Sequence, residues 1–268
     1  MAGAKPSLIA LERVAKAYKL RGGAQLLAID EVSLDVGDGE FVTIVGPSGC
    51  GKSTLLKLVA GLVFPSRGEI RLDGEPVTGP RRGVGMVFQS AVLLKWKTVL
   101  GNVMFPLRIM RLDQPRYEQR ARELLEITGL ADFADRYPRE LSGGMQQRVA
   151  ICRALVFDPK VLLMDEPFGA LDAMTREELS IELLRIWQGA RKTVLFVTHS
   201  ISEAVLLADR VVVMSARPGR VVDVLDVDLP RPRGLAVTET EAFQGYVARI
   251  RRLIFGRATA ETVATRGR

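Results

Sequence analysis

Apolar positions in this chain follow two periods, one typical of strands and one typical of helices. Short, almost entirely apolar runs, such as 41–45, 161–164 and 194–197, are typical of strands buried on both faces of a sheet. Other stretches repeat apolar residues every three or four positions, which indicates helices with one buried face. The two kinds of segment alternate along much of the chain, and this alternation predicts an α/β fold with a mostly parallel sheet. Ligands of such sheets bind at the carboxyl ends of the strands.

The same pattern gives approximate element boundaries. The predicted strands are 8–14, 32–36, 41–45, 68–73, 83–88, 161–165, 194–198, 211–214 and 221–229. The predicted helices are one that carries Leu55, Leu56, Val59 and Leu62 on one face, then 99–110, 117–128, 146–157, 175–188, 202–208 and 241–254. Helices dominate from about 95 to 157, which indicates an inserted helical subdomain, and a C-terminal tail covers about 217–268. Tyr18 is predicted to lie between the first two strands, ahead of a loop at Gly22 and Gly23.

Composition narrows the class of protein. With 268 residues, of which 47% are hydrophobic, the chain fits a single domain, 1–268, with a substantial core. Its apolar runs fall short of the roughly 20 residues that a membrane span needs, and Met1–Pro6 lacks the apolar centre of a signal peptide. We therefore expect a soluble cytoplasmic protein. Cys50 and Cys152 do not indicate a disulfide framework. The net charge of +7 comes without a basic run interleaved with aromatics, so no nucleic-acid partner is expected.

A glycine-rich segment directly follows the strand at 41–45. It consists of Gly46, Pro47, Ser48, Gly49, Cys50, Gly51, Lys52, Ser53 and Thr54, which fits the phosphate-loop pattern of Gly, four residues and Gly-Lys-Ser/Thr. Glycines allow backbone N–H groups to surround phosphate oxygens, and the following helix directs its positive end at the same anion. Lys52 would bind the β- and γ-phosphates, and Ser53 would ligate Mg²⁺. The order of strand, loop and helix favours nucleotide binding over a surface glycine turn.

Two carboxylates, Asp165 and Glu166, end the apolar run that begins at Val161. Charge at the end of a buried strand requires a reason, and a metal–nucleotide site provides one. In this interpretation Asp165 holds Mg²⁺ through water, while Glu166 orients and polarises the attacking water. The alternative is an acidic pair at the start of a solvated turn.

The segment Leu141–Arg148, Leu-Ser-Gly-Gly-Met-Gln-Gln-Arg, could simply be the start of a serine-capped helix. Taken with the phosphate loop, the two carboxylates and a lone histidine after a later strand, it resembles the signature of ATPase subunits of ATP-binding-cassette (ABC) transporters. The resemblance covers about Leu8 to Leu229. It matches Walker A to Gly46–Thr54, the Q-loop to Gln89, and Walker B to Val161–Glu166.

This resemblance implies a P-loop NTPase core with a mostly parallel sheet, an N-terminal antiparallel β-subdomain and an inserted α-helical subdomain. It also implies ATP hydrolysis, with ATP and Mg²⁺ as cofactors. Gln89 would contribute to catalysis and to the Mg²⁺ site, and His199 would contact the γ-phosphate. Tyr18 would stack on adenine, although by itself it could equally be a half-exposed tyrosine at a strand end.

The resemblance also implies how two copies would assemble. Two cassettes face head to tail, so that Ser142, Gly143 and Gly144 of one copy close over the ATP held by Lys52 of the other. Asp172, in Ala170-Leu171-Asp172, would belong to the D-loop. One chain alone would therefore not complete a site, and ATP would promote dimer formation.

Within the family, Leu93–Val99, Ala216–Arg220 and Leu229–Arg233 resemble the importers of nitrate, sulfonate and taurine. Lys95 and Lys97 depart from the Leu-Leu-Pro-Trp pattern often seen there. The resemblance implies a peripheral subunit on the cytoplasmic face of the inner membrane, bound to permease subunits and served indirectly by a periplasmic or extracellular solute-binding protein. The alternatives are the ATPase of an ABC exporter or lipid-transport system, and a non-transport ABC ATPase. Trp96 is expected either to contact the permease or to lie in the core.

Overall fold

The computed structural model describes residues 7–112 and 114–265, and the chain divides into two compact units. The first unit contains the chain up to Pro80 and from Thr193 onward, and the second contains Arg81–Lys192. The first part of the chain forms β1 (Ser7–Lys19), β2 (Gln25–Gly37), β3 (Phe41–Val45), α1 (Lys52–Val59), β4 (Arg67–Leu72) and β5 (Glu75–Pro76).

The remaining elements complete both units. The second unit contains β6 (Val84–Val87), α2 (Val99–Val103), α3 (Phe105–Met110), α4 (Gln114–Ile127), α5 (Gly143–Leu155), β7 (Val161–Asp165) and α6 (Ala173–Ala190), with short 3₁₀ turns at Ala131–Phe133 and Pro138–Glu140. The first unit resumes with β8 (Thr193–Val197), α7 (Ile201–Leu207), β9 (Arg210–Met214), β10 (Val221–Asp226), a 3₁₀ turn at Leu235–Glu239 and α8 (Glu241–Thr265).

The first unit contains two layers of strands. An antiparallel sheet has the order β2-β1-β4-β5, and Leu11 of β1 pairs with Leu34 on one side and with Ile70 on the other. In the other layer β3 lies between β8 and β9 and is parallel to both, while β10 is antiparallel to β9. All five residues of β3 are buried, as expected for a strand covered on both faces.

The second unit is mostly helical. Its two strands, β6 and β7, are parallel, and α5 packs against α2, α4 and β6. Cys152 of α5 is fully buried, and burial raises the pKa of its thiol to about 12. Cys50 is also buried, and neither cysteine forms a disulfide.

Two arginines of the tail donate hydrogen bonds to the end of α7. Arg233 is buried, and its guanidinium donates to the carbonyls of Val205, Leu206 and Ala208 near the end of α7. Arg231 donates to Leu207 O and to the Asp209 carboxylate. The last carbonyls of a helix have no partner within it, so cationic donors at this end satisfy them and complement the helix dipole. Burial lowers the pKa of Arg233 to about 10. The segment of the tail around these arginines is therefore an integral part of the first unit.

Several predicted boundaries are corrected by the structure. Tyr18 lies inside β1, paired with Leu26 of β2, and does not lie between the strands. Helix α1 ends at Val59, so Leu62 is exposed beyond its apolar face. The predicted helix 99–110 is two helices, and the second begins at Phe105, next to Pro106. No helix within 7–112 and 114–265 is both long and apolar enough to cross a bilayer. The limits 95–157 and 217–268 stay predictions.

Candidate nucleotide-binding site

The phosphate loop lies where β3 leaves the sheet of the first unit. A Cβ added at Gly46 would be 2.8 Å from Met214 O, and one added at Gly51 would be 2.8 Å from Ala28 O. Gly51 also has φ +103° and begins α1 without a side-chain cap. Side chains at these positions would clash with the backbone of Met214 and Ala28, so only glycine allows the loop to follow this path.

Lys52 is the cation of this loop. It is only 5% exposed, and its ammonium donates to Gly46 O at 2.9 Å and to Pro47 O at 3.1 Å. Ser53 and Thr54 follow on the first turn of α1 and are half-buried. A buried ammonium, a hydroxyl and a helix N-terminus at one place fit the phosphates of a nucleotide.

His199 follows β8, at the same end of the strand layer as the phosphate loop that follows β3, since these strands are parallel. Its neighbours are fixed on both sides. Ser200 caps α7 by accepting from Glu203 N, and Ser200 N donates to the Thr198 hydroxyl, which is itself bonded to the Glu203 carboxylate. The backbone thus holds an exposed imidazole at the carboxyl end of the layer, where the ligands of such sheets bind.

Tyr18 is half-buried near the end of β1, and the Lys16 ammonium lies 5.2 Å from the centre of its ring. Lys16 is held in turn by a 2.6 Å hydrogen bond to Phe64 O. The ring is therefore fixed in place by its strand and by a cation, which suits a stacking platform.

Replacing Tyr18 with alanine should weaken ATP binding by about tenfold, since stacking of a base on an aromatic ring contributes roughly 1–3 kcal/mol. Turnover at saturating ATP should be largely kept, because adenine is remote from the reacting bond. Tyr18→Phe keeps the ring and serves as the control. Titration with a fluorescent ATP analogue, together with steady-state kinetics, measures both quantities. An unchanged apparent KM in Tyr18→Ala would count against stacking.

In the second unit, Asp165 and Glu166 lie where the sequence predicted. All of β7 is buried, and Asp165 at its end is 8% exposed. Glu166 is half-buried with φ +45°, a conformation that is costly for a residue other than glycine. Such strain is kept where the surrounding structure requires it, and it is typical of functional sites.

The signature segment and the D-loop lie side by side. Ser142 caps α5 by accepting from Met145 N at 3.3 Å, as the simpler interpretation expected, and both Ser142 and Gly143 are exposed. A Cβ added at Gly144 would be 3.0 Å from Thr175 Cγ2. Asp172 accepts from the backbone and hydroxyl of Thr175, and these bonds lower the pKa of its carboxyl. Ser142, Gly143 and Asp172 thus share an exposed surface.

Gln89 is exposed two residues after β6. The buried Gln147 of α5 donates to Phe88 O at 3.1 Å and so fixes the backbone next to Gln89.

The candidate residues fall into two groups. Tyr18, the phosphate loop and His199 belong to the first unit, and Gln89, Ser142–Gly144, Asp165, Glu166 and Asp172 belong to the second.

One residue of the first unit was missed by the sequence interpretation. The Arg217 guanidinium donates twice to Gly49 O in the phosphate loop, at 3.1 and 2.9 Å. In the sequence, Ala216–Arg220 is distinguished only by its resemblance to the importers of nitrate, sulfonate and taurine. The contact joins positions 168 residues apart, so no local signal could have indicated it.

Comparison with known proteins identifies the family. Residues 29–169 match the family model described as ABC transporter. The chain is 50% identical over 223 residues to an uncharacterized ABC transporter ATP-binding protein of Methanocaldococcus jannaschii, covering 83% of each chain. It is 46% identical to the nitrate import ATP-binding protein of Synechocystis (89% of this chain, 92% of the relative). It is also 46% identical to the taurine import ATP-binding protein of Ruegeria pomeroyi (80% of each).

A solved structure agrees with these relatives. It is a dimeric ATP-binding cassette in a post-hydrolysis state with ADP and phosphate, 35% identical, with a TM-score of 0.73. The match covers 83% of this chain and all of the cassette. The predicted fold class and the family resemblance are confirmed. The chain belongs to the ABC transporter family, of which it is an ATP-hydrolysing cassette.

Proposed function

We propose that this chain is the ATPase subunit that energises an ABC importer of a small organic or inorganic anion, such as nitrate, taurine or another sulfonate. Two relatives that match it over at least 80% of both chains are named as import ATP-binding proteins for nitrate and for taurine, which supports this assignment. No comparable observation favours an exporter, a lipid-transport system or a non-transport ATPase.

The proposed chemistry assigns a role to each group of residues. The backbone of 46–54 and Lys52 bind the β- and γ-phosphates, and His199 contacts the γ-phosphate. Glu166 accepts a proton from the attacking water. Bound Mg²⁺ would neutralise charge that develops on the phosphates.

The residues proposed to hold Mg²⁺ are Ser53, Gln89 and, through water, Asp165. Hydroxyl, amide and carboxylate oxygens are ligands that Mg²⁺ prefers. Among the described residues no cluster of three or more His, Cys, Asp or Glu could hold a metal by itself. Mg²⁺ usually keeps several waters and binds substrate phosphates, so the remaining ligands would come from the nucleotide and from water.

The proposed assembly is a head-to-tail dimer that forms around ATP. Ser142, Gly143 and Asp172 are exposed, so they are available to a second copy. The solved cassette described as dimeric supports dimer formation as such. The dimer would bind permease subunits on the cytoplasmic face of the membrane, and a solute-binding protein would deliver the anion.

The observation that carries the coupling role is the exposed Trp96 loop, defined as residues 91–98. Trp96 is 74% exposed, which excludes the alternative that it lies in the core. The loop is held by the buried Asn102, which accepts from Leu94 N and donates to the carbonyls of Leu94, Lys97 and Thr98. Arg153 adds hydrogen bonds to the carbonyls of Ala91 and Val92. An ordered loop that exposes an indole fits a protein partner, because tryptophan is enriched at interface hot spots.

Replacing Trp96 with alanine should leave the ATPase of the isolated subunit unchanged and should lower uptake by the assembled transporter at least about tenfold, as the loss of an interface hot spot does. Uptake of labelled nitrate and taurine is measured in vesicles that contain this chain, its permease subunits and the solute-binding protein. Phe255→Ala, which removes an exposed aromatic ring from α8, is the matched control and should keep uptake.

Two results would contradict the proposal. If Trp96→Ala lost basal ATPase activity in proportion to uptake, the indole would have an internal structural role. If wild-type vesicles took up neither solute although ATP was hydrolysed, nitrate and taurine would be excluded as substrates.

A further inference from the structure

We propose that the turn between β9 and β10, defined as residues 215–220, positions the phosphate loop for nucleotide binding, with Arg217 as a positioning residue. The inference rests on the proposed binding of phosphates by residues 46–54. It goes beyond that function because a segment outside the Walker and signature motifs would determine how tightly the loop binds nucleotide.

Arg217 holds one carbonyl of the loop with two donors. Its Nε lies 3.1 Å and its Nη2 2.9 Å from Gly49 O. In a trans peptide the C=O and the following N–H point in opposite directions, so a fixed Gly49 O also fixes the N–H of Cys50. That N–H is directed across the loop, 3.3 Å from Pro47 O. If this peptide rotated, the hydrogen bond across the loop would be lost and the loop backbone would change its path.

Gly219 brings the turn backbone against the loop backbone. A Cβ at this position would be 2.0 Å from Cys50 O, so no other residue fits without displacement. Gly219 N donates to Ala28 O of β2, and Asp30 N donates to Gly219 O, each at 3.0 Å. Since a Cβ on Gly51 would also meet Ala28 O, loop residues 49–51 are confined between the turn and β2.

The turn itself is rigid enough to act as a support. The Ser215 hydroxyl donates to Pro218 O at 3.1 Å and accepts from Arg220 N at 3.0 Å. Arg220 binds the buried Asp30 carboxylate, with its Nε 3.1 Å from Oδ2. The turn is thus fastened to β2 on one side and contacts the phosphate loop on the other. β2 also pairs with Tyr18 of β1. The same strand therefore supports both the proposed adenine position and the proposed phosphate position.

The test measures binding of ATP and ADP, turnover at saturating ATP, and thermal unfolding without nucleotide. Arg217→Ala should weaken both nucleotides by roughly tenfold, because ordering the released loop would then be subtracted from the binding free energy. It should leave kcat and the unfolding midpoint nearly unchanged. Arg217→Lys keeps the charge but not the two-donor geometry, so it should recover only part of the affinity. Arg249→Ala removes an exposed arginine paired with Asp223 of β10, and should bind normally.

Gly219→Ala provides a second, independent variant, expected to lose more affinity than Arg217→Ala because its Cβ must displace Cys50. Unchanged affinity in Arg217→Ala would overturn the inference. Full recovery by Arg217→Lys would also overturn it, because charge alone would then account for the effect. Equal losses of affinity, kcat and unfolding midpoint would indicate general destabilisation instead. If the wild-type chain bound no ATP, the proposed function would fail before this inference was reached.

Discussion

A Glu166→Gln chain should bind Mg²⁺ and ATP, hydrolyse ATP about 10²–10⁴ times more slowly than wild type, and elute as a dimer in size exclusion with ATP. The substitution keeps the size of the side chain but removes the base that accepts the proton of water, and general-base catalysis contributes about this factor. ATP that is bound and not hydrolysed should stabilise the association of two chains by mass action. A monomer at saturating Mg²⁺ and ATP would refute the shared site.

The second substitution in this experiment tests which surface closes over the nucleotide. Adding Ser142→Arg to Glu166→Gln should abolish the dimer, since it places bulk and positive charge on the exposed signature surface. Ser142 also caps α5, and loss of a cap costs about 1 kcal/mol. Ser142→Ala is therefore the control, because it removes the cap without adding bulk. Its dimer should survive, and a dimer that also survived Ser142→Arg would rule out this surface.

Lys52→Ala should lower ATP affinity by at least about a hundredfold, to the point that binding is not measurable at ordinary concentrations. Lys52 is the buried cation of the loop, and charge-assisted hydrogen bonds to phosphate are roughly twice as strong as neutral ones. Equilibrium dialysis with labelled ATP measures the loss. Lys57→Ala removes an exposed lysine from the same helix and should bind normally. Near-wild-type affinity in Lys52→Ala would exclude its role.

The strands nearest the site were predictable from local sequence. Strands β3 and β7 have the predicted boundaries, because each is a short, mostly apolar run that is followed by a glycine loop or ends in a pair of carboxylates. The end of α1 could also have been predicted, since a glycine commonly follows the end of a helix and Gly61 comes two residues after Val59. In the structure Gly61 has φ +70°. The prediction extended the helix because Leu62 continued the apolar spacing.

Other features could not be predicted from local sequence because they depend on contacts between distant segments. Tyr18 lies in a part of β1 that has no apolar alternation, and its strand conformation comes from pairing with Leu26. The positive φ of Glu166 is imposed on a residue type that does not favour it. The role inferred for Arg217 depends on a carbonyl far away in the chain. Periodicity encodes burial, but it does not encode which distant backbone group a side chain meets.

The two buried cysteines give the chain a built-in chemical reporter. Cys152 has a pKa of about 12, so almost none of it is thiolate at neutral pH and alkylating reagents have little to attack. Cys50 lies inside the phosphate loop, with its sulfur 4.0 Å from the Lys52 ammonium, and it can be reached only when the loop backbone moves aside. The rate at which the native protein takes up one alkyl group thus measures loop opening, and protection by ligand can be followed without introducing a label.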